Sequence, residues 1–472
     1  MLERDSFTVF NRVVKMSPNL EVVDPNGIRF RNGIGVASSP ATQTPNQWRE
    51  LWKYGAGFIV LKTASDGTDS TVSDHPGHQT RVNVYEQNGL PTLENIGRTT
   101  REQKPIFEIL KEIKEAWNDG IFVIPSIASK NPDMSSWRSM IDAVASTGVP
   151  YFESTLRYPY RGIMRQVVDE LRETYGGFDF DFNEYHVGIT PPFICQKSGL
   201  GFRYVEEETN RRFEHFLRSV GEYSTKKGIG MIAKLWSGRH DMPALIALCA
   251  LSGMKGITLI NSYQSPPIRE FEDMQTYKRA NVSGGDLRRL RNAALEVGKR
   301  TLQDDTFPKV TLFASGGVAV EMTSRKKGSL EHAMDDVSLC RELGADLVQL
   351  YTAIHSDYTL LGQLVHGIGR RLEKDGKSFA DLGKVTSQLT GQNIPIYRLY
   401  QIDPDSCIGC GLCAVTAYCD AIRLSDAPTK DKRQTYEIHP NDCTGCGLCT
   451  AVCPIDNTIK PLYPEDGNKV LA

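Results

Sequence analysis

Short, continuous apolar runs alternate with longer stretches of amphipathic period through most of the chain. The apolar runs are Ile34–Ser38, Gly57–Thr63, Ile121–Ile127, Pro150–Thr155, Gly230–Trp236, Gly256–Asn261, Lys309–Ser315 and Asp346–Tyr351. Between them, apolar residues recur at helical spacing in Pro45–Tyr54, Lys104–Asn118, Ser135–Ser146, Glu206–Lys226, Met242–Ser252, Gly285–Leu302, Ser329–Leu343 and Asp357–Glu373. A strand that is apolar on both faces is covered on both sides, as in a parallel sheet, and each parallel step needs a crossover that is usually a helix. Eight such units predict an α/β fold, a closed (β/α)8 TIM barrel over residues 33–376. A doubly wound open sheet, with its usual five or six strands, fits the count less well.

Residues 1–32 read as an arm or small hairpin that closes the barrel's lower end, and the polar stretch 377–402 as a linker. Three connections after strand ends are long: Ala64–Gln103, Leu156–Val205 and Ser262–Gly284. Long ordered loops at the carboxyl ends of barrel strands are expected to serve as lids or substrate walls.

Composition narrows the setting. A chain of 472 residues has room for one large domain and a small one. The net charge of −2 does not suggest a nucleic acid as partner. No stretch reaches the 18 or so apolar residues of a membrane span, and the start Met-Leu-Glu-Arg-Asp-Ser shows no apolar signal region. Of eleven cysteines, eight lie after Gln401. A secreted disulfide framework would spread them more evenly, so a reducing, cytoplasmic setting is expected. The segment after Gln401 carries 6 Lys+Arg and 10 Asp+Glu, a net −4 that suits docking on a basic redox partner, though solubility alone explains it.

Those eight cysteines carry the sharpest signal. The run Cys443-Thr-Gly-Cys446-Gly-Leu-Cys449-Thr-Ala-Val-Cys453-Pro has the C-x2-C-x2-C-x3-C-P spacing of bacterial-type ferredoxins. A second run, Cys407-Ile-Gly-Cys410-Gly-Leu-Cys413, precedes it. Paired C-x2-C units also bind zinc, but three cysteines at this spacing twice over favour two 4Fe–4S clusters in a small α+β ferredoxin-like domain over 403–472. In two-cluster ferredoxins the fourth cysteine of one run serves the other cluster. That rule groups Cys407, Cys410, Cys413 and Cys453. It leaves Cys443, Cys446 and Cys449 needing one thiolate from the first run, expected at position 417, which is alanine. Cys419 is the displaced candidate. A three-iron cluster or a non-cysteine ligand is the alternative.

With these motifs before it, the chain resembles the dihydroorotate dehydrogenase–dihydropyrimidine dehydrogenase family of FMN barrels. The likeness is to the part of dihydropyrimidine dehydrogenase that joins such a barrel to a two-cluster tail. Gly35-Val-Ala37-Ser38 resembles the family's first strand, whose backbone cradles the flavin. Lys62 ends the second apolar run and Lys234 the fifth; the resemblance implies that both face the flavin ring and that Lys234 stabilises negative charge on it. Gly284 after the sixth strand, Ser315-Gly316-Gly317 after the seventh and Tyr351-Thr352 after the eighth resemble the family's phosphate contacts, at the end of a barrel where phosphates are often held. No G-x-G-x-x-G stands in a βαβ context, so a nicotinamide site on this chain is not expected.

For the substrate, Asn95 and the pair Asn261-Ser262 resemble the family's polar contacts, with Asn261 also near the flavin. Amides both donate and accept, which suits cyclic amides. The fourth strand departs from the family pattern. It reads Glu153-Ser-Thr155-Leu-Arg157-Tyr158-Pro-Tyr160, with Thr155 where the family has asparagine and Tyr158 where it has the proton-transferring cysteine. A tyrosine, whose ordinary pKa is about 10, is a slow base but a usable acid near neutrality. The expected chemistry is therefore reduction of an activated C=C bond with Tyr158 as acid; Tyr160, His186 and Cys195 are alternatives. Arg157, Arg161 and Arg165, then Arg203, suit a carboxylate or phosphate on the substrate, or form a solvated helix face. Electrons would come from an external ferredoxin or NAD(P)H-flavoprotein subunit, and the resemblance implies a homo-oligomer. Dihydropyrimidine or dihydroorotate oxidation, or a purely electron-relaying subunit, are the competing readings.

Overall fold

The computed structural model describes residues 6–9, 12–15, 17–66, 81–87, 90–96, 105–129, 131–175, 202–236, 242–261, 263–264, 280–303, 306–324, 328–355, 357–382, 399–411, 413–414, 422–425, 434–439, 449, 453–455 and 458–462. The eight predicted strands are present as β1 (Ile34–Val36), β2 (Ile59–Val60), β3 (Val123–Ile124 and Ser126–Ile127, broken at Pro125), β4 (Tyr151–Thr155), β5 (Gly230–Lys234), β6 (Gly256–Leu259), β7 (Thr311–Ser315) and β8 (Leu347–Leu350). All pair in parallel, each with the next, and β8 returns to β1. The barrel is closed.

Nine helices surround it among the described residues: α1 (Pro45–Lys53), α2 (Leu110–Asn118), α3 (Met134–Ala145), α4 (Arg157–Tyr175), α5 (Phe202–Lys226), α6 (Met242–Leu251), α7 (Gly285–Thr301), α8 (Ser329–Glu342) and α9 (Thr359–Asp375). The sequence pattern gave eight of them. The ninth, α4, lies in the segment expected to be a loop. Tyr160, Ile163, Met164, Val167, Val168 and Leu171 are all buried along it, at the spacing of one helical face. Pro159 sits in its first turn, where a missing N–H costs nothing.

The other two long connections also have structure. Arg81–Gln87, Leu90–Ile96, Ala280–Gly284 and Tyr263–Gln264 form one four-stranded antiparallel sheet. The excursions after β2 and β6 thus pair with each other. At the barrel's lower end, the Asp24 carboxylate accepts from Tyr151 Oη at 2.5 Å and from Thr311 Oγ1 at 2.8 Å, so the amino-terminal segment plugs the barrel. Beyond α9, Phe379 is fully buried against Gly33, and Leu382 is buried too, so core packing runs past Gly376. No described helix is long and apolar enough to cross a membrane.

The strand register fixes which side chains share a level. Ladder partners drift by about one residue per strand around such a barrel, so inward side chains stack in levels drawn from alternate strands. The lower levels are apolar: Phe58, Tyr151 and Leu347, then Ile124, Ile232 and Phe313. Phe58 and Phe313 meet edge to face with ring centroids 5.7 Å apart. Higher up the interior turns polar. Glu153, Thr258 and Gln349 share a level with Val60, and Ser126, Lys234 and Ser315 share the next with Ala37. Lys62 and Thr155 stand at the rim. A barrel apolar below and polar above keeps its chemistry at the carboxyl-terminal end.

Candidate active site and cluster pocket

Two lysines enter the mouth of the barrel on different terms. Lys234 is buried, and its Nζ lies 3.1 Å from Oε1 of the fully buried Glu153. The other oxygen of Glu153 accepts from Thr258 Oγ1 at 2.9 Å. Glu153 is the counter-ion that makes a buried ammonium tolerable. Its role was missed from sequence, although a carboxylate inside an apolar strand is itself a signal. Lys62 is half-buried, and among the described residues no carboxylate pairs with it. Burial, and next the neighbouring Lys234 charge, lowers its pKa to about 8.

Hydroxyls line the adjoining wall. Ser38 Oγ is 3.3 Å from Thr63 Oγ1, which is 3.0 Å from Ser126 Oγ, linking the ends of β1, β2 and β3. Across the barrel Gln349 is 1% exposed, and among the described residues neither polar atom of its carboxamide has a hydrogen-bond partner. Buried amides are almost always bonded, so an orphaned one inside a polar level calls for a ligand or water. Gln349 carries no sequence signal of its own; the family likeness points to its neighbours Tyr351 and Thr352 instead.

The loop after β7 starts at the buried Ser315. Gly316 and Gly317 take φ values of 98° and 67°, and Ala319 also has a positive φ of 53°. Left-handed backbone in succession requires the two glycines and makes a concave turn. After β8, Tyr351 is half-buried with its hydroxyl 2.9 Å from His355 Nδ1, and Thr352 is buried. Ala37 is buried beside this end of the barrel. Gly284, expected in a loop at the phosphate, instead ends the strand Ala280–Gly284 with its backbone opposite Thr92.

At the rim, Thr155 is buried, and the half-buried Arg157 and Tyr158 open α4. Arg157, Arg161 and Arg165 recur every fourth residue, which puts them on one helix face; of the three only Arg165 is exposed. Tyr160 is committed elsewhere: it is buried, its hydroxyl donates to Asn210 Oδ1 at 3.1 Å, and its ring packs against Phe213. Asn261 is half-buried and its N–H bonds the Leu235 carbonyl at 2.8 Å. Asn95 lies in the strand Leu90–Ile96, opposite Asn281 and Val82, with its side chain outside the described residues. Ser262, His186, Cys195 and the Arg203 side chain lie outside them as well.

In the carboxyl-terminal domain, Leu399–Ile402 pairs antiparallel with Ile459–Leu462, and Ile422–Leu424 with Tyr436–Ile438. Cys407, Cys410, Cys413 and Cys453 line one pocket of about 310 Å³, counting its open mouth, with Ile402, Tyr436 and Ile459 among the other walls. These are the four thiols that the ferredoxin rule groups. Gly409 and Gly411, both at φ 70°, turn the backbone round the pocket; a Cβ on Gly409 would lie 2.3 Å from the Gln434 carbonyl oxygen. Burial, and next Cys407, pushes the Cys413 thiol up to about 12. Among the described residues no three His, Cys, Asp or Glu side chains converge as they would on a single ion. Four thiols at the ferredoxin spacing round one pocket suit a 4Fe–4S cluster. Cys449 is buried, while Cys419, Cys443 and Cys446 lie outside the described residues.

Comparison with known proteins agrees with both halves. Residues 400–460 match the model of the 4Fe-4S dicluster domain. The chain is similar to the NAD-dependent dihydropyrimidine dehydrogenase subunit PreA of Escherichia coli strain K12, at 22% identity over 409 residues, covering 83% of this chain and 84% of that one. The same subunit from Escherichia coli O157:H7 matches to the same extent. The closed parallel barrel, the dicluster domain after it and the similarity to a dehydrogenase subunit mark this chain as an iron–sulfur oxidoreductase, whose barrel and ferredoxin-type tail resemble the dihydroorotate dehydrogenase/dihydropyrimidine dehydrogenase kind.

Proposed function

We propose that the chain is an FMN- and iron–sulfur-dependent oxidoreductase. It reduces an activated C=C bond in a small cyclic or carboxylated substrate, in the cytoplasm, with electrons delivered by an external protein through the clusters. The observation that supports the flavin is the polar upper barrel, where the Gln349 carboxamide has no partner among the described residues and Lys62, without a carboxylate of its own, stands near the Glu153-paired Lys234. Such a site fits a ring whose edge both donates and accepts hydrogen bonds and which gains negative charge on reduction. FMN meets those demands, and its phosphate fits the loop at Gly316 and Gly317.

When bound, FMN would supply hydride exchange with carbon and one-electron exchange with the clusters. The protein's part is positioning and charge. Glu153 holds the Lys234 ammonium in place for the ring edge. Lys62 adds a second positive group whose proton is mobile near neutral pH, as a pKa of about 8 implies. Tyr158, half-buried at the start of α4, would serve as the acid, and Arg157 beside it suits a substrate carboxylate.

Photoreducing the bound flavin without oxygen and adding ene-acids or cyclic amides tests this reading. Reoxidation by at least one of them is the expected result; reoxidation only by a protein acceptor would show an electron-relay subunit instead. Tyr158→Phe should slow the small-molecule step, and unchanged turnover at every pH would remove Tyr158 from it. The similarity to a dihydropyrimidine dehydrogenase subunit over 83% of the chain favours a second reading, oxidation of a dihydropyrimidine. In that case the dihydropyrimidine would reduce the flavin in the same cuvette.

A further inference from the structure

The loop after β7 is held from behind by buried charge. Arg291 on α7 is fully buried. Its Nη2 donates to Asp336 Oδ1 at 2.7 Å, and its Nη1 to Asp336 Oδ2 and to the Gly316 carbonyl, each at 3.2 Å. Asp336, on α8, also accepts the Ala319 N–H at 2.9 Å. Arg288, one turn earlier on α7, has its Nε 3.2 Å from Asp336 Oδ1, its Nη1 on Glu321 and its Nη2 3.4 Å from the Gly317 carbonyl. Burial alone would raise the Asp336 carboxyl, but Arg291 and Arg288 outweigh it and hold it below the ordinary carboxylate range.

A trans peptide is planar, with its C=O and N–H pointing in opposite directions. Carbonyls of Gly316 and Gly317 drawn back onto guanidinium groups therefore turn the next two N–H groups, of Gly317 and Val318, the other way. Both residues are buried, and among the described residues neither N–H has a protein acceptor. Two adjacent unbonded N–H groups in a left-handed turn form a cradle for an anion. A buried ion pair of this kind is a poor source of stability, since apolar replacements often do as well. What it does supply is the direction of those two peptides.

We infer that Arg288, Arg291 and Asp336 are positioning residues that set the affinity and selectivity of the barrel for a phosphate monoester ligand. This rests on the FMN reading, where the monoester is the flavin's own phosphate. Riboflavin, the same ring and side chain without phosphate, separates the two claims. Flavin-stripped protein is titrated with FMN and with riboflavin, following quenching of flavin emission. Wild type is expected to prefer FMN. R291K, which keeps the buried positive charge, and D336N should lose FMN affinity by about tenfold or more while riboflavin affinity stays as in wild type, because only the charge-assisted contact is lost. Riboflavin uptake also reports that the variant is folded. Should both buried variants fail to fold, R288K, at the edge of the cluster, should still lower the FMN-to-riboflavin ratio several-fold. An unchanged ratio in every folded variant, or equal loss of both flavins, overturns the inference. Wild type binding neither flavin instead overturns the FMN reading.

Discussion

Substituting Glu153 by Gln tests the charge arrangement inside the barrel. Glu153 is fully buried and spends one oxygen on Lys234 at 3.1 Å and the other on Thr258 at 2.9 Å. E153Q keeps the size and an acceptor for Thr258 but removes the negative charge. Neutralising one partner of a buried pair costs about 3–5 kcal/mol, because the other charge stays behind without compensation. A glutamine oxygen still accepts from the ammonium, so the lower end, about 3 kcal/mol, is expected for flavin-free protein. Adding K234M removes the stranded charge as well. The double variant should recover about 2 kcal/mol of that loss, because no unpaired buried charge remains. Urea unfolding followed by emission of Trp48 and Trp137, both buried in the barrel domain, measures all three proteins. E153Q within about 0.5 kcal/mol of wild type, or a double variant no better than the single, would refute the reasoning.

Lys62 carries the pH dependence. Its folded pKa of about 8 lies below the ordinary 10.5, so its contribution to stability is full above pH 10.5, falls as the pH drops toward 8, and is gone below that. The full displacement corresponds to about 3 kcal/mol, and solvent at the half-buried side chain reduces this to about 2. K62M should therefore stabilise flavin-free protein by about 2 kcal/mol at pH 7, with the gain fading toward pH 10, while weakening flavin binding; denaturation midpoints across that range check it. Gln349→Leu should raise the stability of flavin-free protein by about 1–2 kcal/mol, because it removes unbonded polar atoms, and should weaken FMN and riboflavin binding alike. In the tail, C407S and C453S should abolish the same cluster signal in electron paramagnetic resonance, and C443S the other. A C453S spectrum matching that of C443S would contradict the pocket in which Cys407 and Cys453 meet.

The barrel was legible because its signal is local. Each strand announced itself as a short apolar run, and each predicted helix by its period. The segment from Arg157 misled because its arginines and Pro159 suggest a loop, although the buried stripe from Tyr160 to Leu171 was there to be counted. Features that rest on one residue or one run were legible: Lys62 and Lys234 stand at strand ends in the barrel mouth, and the cysteine runs fall in the dicluster domain. Partnerships were not. Glu153 meets Lys234 across 81 positions and Thr258 across 105, and Arg291 meets Asp336 across 45. No spacing rule reaches that far. Gly284 looked like a loop glycine because its strand partner, Thr92, belongs to a different excursion. Gln349 shows the limit most plainly: an orphaned amide is defined by what is not within reach of it.

Cofactor content tests the central claim most directly. Protein purified without oxygen is denatured, and the released flavin and iron are quantified against polypeptide. One FMN per chain is expected, together with iron and sulfide for two 4Fe–4S clusters. Iron without flavin, in protein that also fails to take up added FMN, would contradict it.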